Sequence, residues 1–223
     1  MEKLIQKIID DEWELFHTVN GDYAVSCQND RPTFEIMRRA QYEAWSREAL
    51  ELYAADLAAA SAAGRNIVRE KYIHMMRSTA PEDYANFAAE LPPVSEEKEA
   101  LVAKIWAIHA EQNERMRARY PFIALGGRPA YKKDEIAGWP SIENYQTSEL
   151  LTYSEATLRA LLAHIEALTA EGKDFAYIVR EKTVLGLGYP DMDTAERVMM
   201  NHVMNEMEMR PGGGCCCGGS CDV

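Results

Sequence analysis

The sequence predicts an all-α protein: one bundle of about seven helices, followed by a flexible C-terminal tail rich in cysteine and glycine. Three observations point there. Apolar residues recur at helical spacing through most of residues 1–210. Serine, aspartate, glycine and proline interrupt those runs where helices start and stop. No alternating apolar and polar run of useful strand length appears. At 223 residues, 47% of them hydrophobic, the chain is long enough to bury one sizeable core. The expected division is a helical domain over 1–210 and a tail over 211–223.

Residues 2–20 read as an amphipathic helix with Leu4, Ile5, Ile8, Ile9, Trp13 and Phe16 toward the core. Residues 20–32 form a loop, with Gly21, Asn29 and Asp30 as turn residues and Pro32 at the helix entry. One long helix is then expected over 32–63, with Phe34, Met37, Gln41, Trp45 and Leu52 on its inner face and Gly64 as its stop. Arg38 and Asp56 share that face but lie roughly 27 Å apart at 1.5 Å per residue, so each needs another partner if buried. A second helix follows Arg65 and Asn66, with Val68, Tyr72, Met75 and Thr79 inward and Lys71 beside them. A short helix fits 81–94, and Ser95 caps a helix running to about Tyr120, where His109 reads as a satisfied core histidine.

Periodicity fades over 121–148, a run punctuated by Gly126, Gly127, Pro129, Gly138 and Pro140 and carrying Arg128, Lys132 and Lys133, so a loop is expected whose basic residues suit an anionic substrate. Thr147 or Ser148 then opens a helix to Gly172. One face of it is Leu150, Leu151, Ser154, Leu158, Leu161 and Ile165; the small-residue face, with Glu149, Tyr153, Ala156, Ala160, Ala163 and Ala167, is expected at a helix interface. Asp174 caps another helix, and Asp191 or Asp193 opens the last one, whose Met192, Met199, Met200 and Met204 read as adaptable core.

The segments DEWELF, SCQ, FEIMRRAQYEAW, LYAADL, GRNIVREKYIHMM, STAPEDY and SELLTYSEATL together resemble a bacterial family known as domain of unknown function 4125. The resemblance covers most of residues 1–200 and implies no assigned chemistry; it does imply that members occur beside or fused to nucleotidyltransferase-like domains. The positions matching the family's polar pattern are Cys27, Gln28, Arg38, Gln41, Asp56, Arg65, Asn66, Lys71, Tyr72, Glu149 and Tyr153. These form the candidate site. Arg38, Gln41, Asp56, Arg65, Asn66, Lys71 and Tyr72 are expected to bind an anionic small molecule in an interhelical pocket. Glu149 and Tyr153 are candidate catalytic groups, Glu149 as partner of Arg38 or Arg65 or as a base with a raised pKa. Cys27 is a candidate nucleophile, with a small buried thiol as the plainer reading.

Composition excludes several classes. The net charge of −12 argues against general nucleic-acid binding, and no stretch approaches the roughly 20 apolar residues of a membrane span. A cytoplasmic location is expected, since four of the five cysteines crowd into the tail and cannot staple the fold. Those four, Cys215, Cys216, Cys217 and Cys221, lie within PGGGCCCGGSCDV and suit zinc, copper(I) or an iron-sulfur cluster, or a protein partner reached through the tail. The Glu14–His17 spacing lacks the second copy that a di-iron bundle needs. Glu70 and His74, one turn apart, read as a surface pair. Arg69 with His74, and Arg159 with His164, repeat a spacing similar to that of helical ribonucleases partnering nucleotidyltransferases.

Overall fold

The computed structural model describes residues 1–19, 30–125, 127–136 and 139–209, with no side chains described at 206–209. Among the described residues there are eleven α-helices and no strand beyond an isolated bridge between Ile136 and Trp139. In order they are α1 (Glu2–His17), α2 (Arg31–Tyr42), α3 (Arg47–Ala62), α4 (Ile67–Thr79), α5 (Pro81–Phe87), α6 (Glu96–Arg119), α7 (Pro121–Leu125), α8 (Ile142–Leu150), α9 (Glu155–Ala170), α10 (Phe175–Gly186) and α11 (Met192–Met209). No helix among them is long and apolar enough to cross a membrane.

The all-α class stands, with more and shorter helices than seven, because two expected long helices are each two. Ser46 leaves helical geometry (φ −68°, ψ 156°) and accepts the Ala49 N–H, which ends the run from α2 and starts α3. Ser154 does the same between α8 and α9, accepting the Thr157 N–H. Ser141 caps α8 inside the expected loop, and Pro121 opens the short α7 there. Helix α2 buries Arg38, Ala40 and Tyr42 and leaves Met37 in solvent, at 46% exposure, instead of on the face expected for it. Glu149 and Tyr153 precede α9, and of its alanines only Ala160 packs on the core, while Ala156, Ala163 and Ala167 are exposed. Glu70 and His74 are both buried, not a surface pair. Met200 and Met204 are exposed, at 37% and 49%, while Met192 is core.

Helix α1 packs on α2, α3 and α4; α9 on α3 and α6; α8 on α4 and α6; α10 on α2 and α6; and α11 on α7 and α10. The main apolar core holds Ile8, Ile9, Leu50, Ile105, Leu158 and Ile165, all fully buried. A second cluster of Met116, Tyr120, Val184, Met192 and Ala195 joins α6, α10 and α11. Gly64 sits at φ 69°, the left-handed turn that only a residue without Cβ adopts cheaply, and separates α3 from α4. Among the described residues Leu158 is one of the largest fully buried side chains. Leu158→Ala should therefore lower unfolding free energy by about 2–5 kcal/mol, read as a lower urea midpoint with unchanged slope.

Candidate functional site: a buried polar centre

Helix α1 presents Ile5, Ile8, Ile9, Glu12 and Phe16 on one buried stripe, so a carboxylate occupies an apolar register. Arg38 of α2 meets it. Its Nε donates to Glu12 Oε2 at 2.8 Å, and one Nη2 N–H reaches Glu12 Oε1. The other Nη2 N–H goes to the Tyr42 hydroxyl; Nη1 donates to Glu149 Oε1 at 2.8 Å and to Gln41 Oε1 at 3.1 Å. All five guanidinium donors are thus filled.

Glu149, in the last turn of α8, is held just as fully. Its Oε1 accepts from Arg38, from Gln41 Nε2 at 3.0 Å and from the Tyr153 hydroxyl at 2.8 Å; its Oε2 accepts from Lys71 Nζ at 2.7 Å. Tyr53 of α3 donates to Glu12 Oε1 at 2.6 Å. Two cations and two carboxylates therefore cancel inside the protein, each hydrogen-bonded, which is the arrangement that makes buried charge tolerable. Burial alone would raise the Glu149 pKa, but Arg38 and Lys71 outweigh it and hold the carboxylate well below its usual range. Burial pushes the hydroxyls of Tyr42, Tyr53 and Tyr153 well up, so all three stay protonated, Tyr53 and Tyr153 donating to the carboxylates and Tyr42 accepting from Arg38.

The centre unites Arg38, Gln41, Lys71, Glu149 and Tyr153 of the expected set. The rest go elsewhere. Asp56 accepts the Ser154 N–H at 2.9 Å and the Thr157 hydroxyl at 2.6 Å at the start of α9. Arg65 is forked onto Glu70 at 2.8 and 2.6 Å. Asn66 caps α4 through the Arg69 N–H and donates to Leu15 O at 2.8 Å. Tyr72 stacks on Phe16 with ring centroids 6.3 Å apart. Cys27 and Gln28, like Cys215, Cys216, Cys217 and Cys221, lie outside the described residues. Glu12, Tyr42 and Tyr53 were missed, although the signal for Glu12 was present as one charged residue in an otherwise apolar stripe.

From the centre the geometry continues outward. Lys71 Nζ lies 3.5 Å from the centroid of the Tyr145 ring; the Arg128 guanidinium lies 5.3 Å from that centroid and 5.7 Å from that of Trp139, which is 49% exposed. Arg128 Nη1 donates to Pro140 O at 3.3 Å. Among the described residues no carboxylate forms an ion pair with it.

The motifs read from spacing alone do not converge. Arg69 pairs with Glu90 and Arg159 with Glu97 and Glu155, while His164 Nε2 meets Ala44 O at 2.9 Å. His74 is buried, and burial together with Lys98 and Arg77 lowers its pKa to about 4. Glu14 and His17 are exposed, His17 edge-on to Trp13 at 4.4 Å. Among the described residues no three His, Cys, Asp or Glu side chains are grouped to hold a metal.

The family model described as protein of unknown function (DUF4125) matches residues 2–197, and the chain belongs to that family. No curated protein and no solved structure matches it.

Arg38→Ala leaves Glu12 buried without a cation, while Glu149 keeps Lys71, and should cost about 3–5 kcal/mol of unfolding free energy. The Glu149 pKa is depressed by folding, so its contribution is fully present above the ordinary value of 4.5 and is lost as pH falls toward the folded value. Chemical unfolding followed from pH 7 to 3 should show that acid loss. Glu149→Gln, which cannot ionise, should flatten it.

Proposed function

We propose that this member of the family binds a small anionic molecule at a mouth formed by Arg128, Tyr145 and Trp139, with the buried centre as its rigid base. One observation carries the reading. Arg38 and Lys71 are balanced by Glu12 and Glu149, whereas Arg128 adds a positive charge to the same assembly with no carboxylate to match it. In a chain of net charge −12, acids are abundant, so an arginine set between two aromatic rings and left without one is suited to a ligand's negative group. Trp139 and Tyr145 offer ring surface for whatever the charge is attached to.

Within this reading Arg38, Gln41, Glu149 and Tyr153 position the site. Proton transfer is not asked of Glu149. A carboxylate that accepts four donors and is held below its usual pKa is a weak base at neutral pH.

Titration of the full chain with pyrophosphate and with AMP at fixed ionic strength, followed by tryptophan fluorescence, should show a saturable change. Arg128→Gln should abolish it. Trp139→Phe should remove most of the signal while leaving a ligand-dependent rise in the thermal midpoint. Absence of saturation with either probe, or an unchanged titration in Arg128→Gln, refutes the mouth.

A second reading concerns the tail, and it is supported by four thiols within seven residues at Cys215, Cys216, Cys217 and Cys221, interleaved with glycine. It makes the protein a carrier or sensor of zinc, copper(I) or an iron-sulfur cluster. Elemental analysis of the reduced protein should find about one metal equivalent that disappears when residues 211–223 are removed. Equal metal content in both forms rejects it.

A further inference from the structure

The end of α6 and the connection from α7 to α8 concentrate positive charge. Residues 115–133 carry Arg115, Arg117, Arg119, Arg128, Lys132 and Lys133 and no acid, in a chain whose acids outnumber its bases 36 to 24. Among the described residues only Arg115 of the six forms an ion pair, with Glu111 and Asp174.

The connection is folded back on itself and pinned. Pro129 O accepts the Ile142 N–H at 2.8 Å and Ala130 O the Glu143 N–H at 3.1 Å, so the chain leaves and returns at one place. Tyr131 ties it to α6, its hydroxyl donating to Glu114 Oε1 at 2.9 Å and its ring edge-on to Trp106. Two acids of this region are engaged locally: Glu135 accepts from the Ser78 hydroxyl and from the N–H and hydroxyl of Ser141, and Glu143 accepts the Lys132 N–H at 2.9 Å. Lys132, Lys133 and Asp134 are exposed, and beside them stand two apolar side chains. Ile136, at 68% exposure, is the most exposed large apolar residue among those described; Trp139, at 49%, is its bridge partner, so the two are neighbours.

We propose that this face rests on the surface of an anionic lipid bilayer, with Ile136 and Trp139 entering the headgroup region and Lys132 and Lys133 holding lipid phosphates. An aliphatic side chain held out in water by a pinned backbone gains free energy wherever it can leave the water. Tryptophan favours the level at which hydrocarbon gives way to polar headgroups. Lysine stems lie along apolar surface while their ammonium groups reach the phosphates. A nucleic acid would use the cations and offer Trp139 a base to stack on, but it leaves Ile136 in water. The net charge of −12 does not forbid the contact. At physiological salt, charges more than about 8 Å from the lipids are largely screened, so the bilayer responds to the local excess of Arg128, Lys132 and Lys133 over Asp134. Contact of this kind lies on the membrane and needs no spanning helix.

Co-sedimentation of the full chain with phosphatidylcholine vesicles, with and without phosphatidylserine, tests it. Binding should require phosphatidylserine, fall as salt rises and shift tryptophan emission to the blue. Ile136→Ser should weaken it at least about fivefold, and Lys132→Glu combined with Lys133→Glu at least about tenfold. Both variants should keep the wild-type thermal midpoint, because these side chains lie in solvent. The contact is independent of the small-anion mouth: Ile136→Ser should keep the AMP response, while Arg128→Gln should lose that response and keep vesicle binding within a few-fold, so either reading can fail alone. Sedimentation no greater with phosphatidylserine than without it overturns the proposal, as does wild-type vesicle binding in Ile136→Ser or in the lysine double variant. Binding of a single-stranded oligonucleotide that Ile136→Ser leaves unchanged, with no vesicle binding, assigns the face to nucleic acid instead.

Discussion

The structure depends on the neutralisation of Arg38. A guanidinium buried among α1, α2 and α8 is tolerable only with its five donors filled, and filling them fixes where Glu12, Gln41, Tyr42 and Glu149 must be. Because Glu149 also takes Lys71 of α4 and Glu12 takes Tyr53 of α3, one charge sets the mutual register of five helices. Apolar contacts tolerate a slide of an ångström or two; a forked ion pair does not. The net energy of such a network is modest after desolvation. Its larger effect is that alternative packings, which would leave one of four charges unpaired, are strongly disfavoured.

A shell of aromatic residues reconciles this centre with the hydrocarbon around it. Tyr42, Tyr53 and Tyr153 turn their hydroxyls to the charges while their rings pack with one another and with Trp45 at centroid distances of 4.7 to 5.8 Å. Tyrosine suits this place because one end is apolar and the other wants a hydrogen bond. The main core is therefore organised as charges inside, rings around them and aliphatic side chains beyond, where Ile8, Leu50, Leu158 and Ile165 lie.

The all-α class was legible because amphipathic spacing and capping signals agree along the chain. The breaks at 43–46 and 151–154 were not, because helical spacing of apolar residues continues across them: Gln41, Trp45 and Leu52 read as one stripe although Ser46 interrupts the backbone. Local signals were available. Ser46, Ser141 and Ser154 are each followed by a glutamate in the first turn, a pattern that favours a new helix start. Half of the site followed the same logic. Arg38 and Gln41 stood on an apolar stripe, Lys71 beside another and Glu149 and Tyr153 on an expected interface, and the five do converge. Asp56, Arg65 and Asn66 carried the same kind of signal but serve helix ends, which sequence spacing cannot distinguish from a buried centre because both need a polar group beside apolar neighbours. Tyr42 and Tyr53 were hidden because a tyrosine in a core stripe reads as apolar bulk.

The contrast among the arginines carries the functional argument furthest. Arg38, Arg39, Arg65, Arg69, Arg115 and Arg159 all face carboxylates, as expected in a chain where Asp and Glu number 36 against 24 Lys and Arg. Arg128 lies against rings, with no acid paired to it among the described residues. Where acids are in excess, chance placement favours a nearby carboxylate, and a partly desolvated guanidinium gains more from one than an exposed guanidinium does. Leaving the half-buried Arg128 unmatched runs against that gradient. On the proposed reading, a negative group supplied from outside the chain restores the balance beside Arg128.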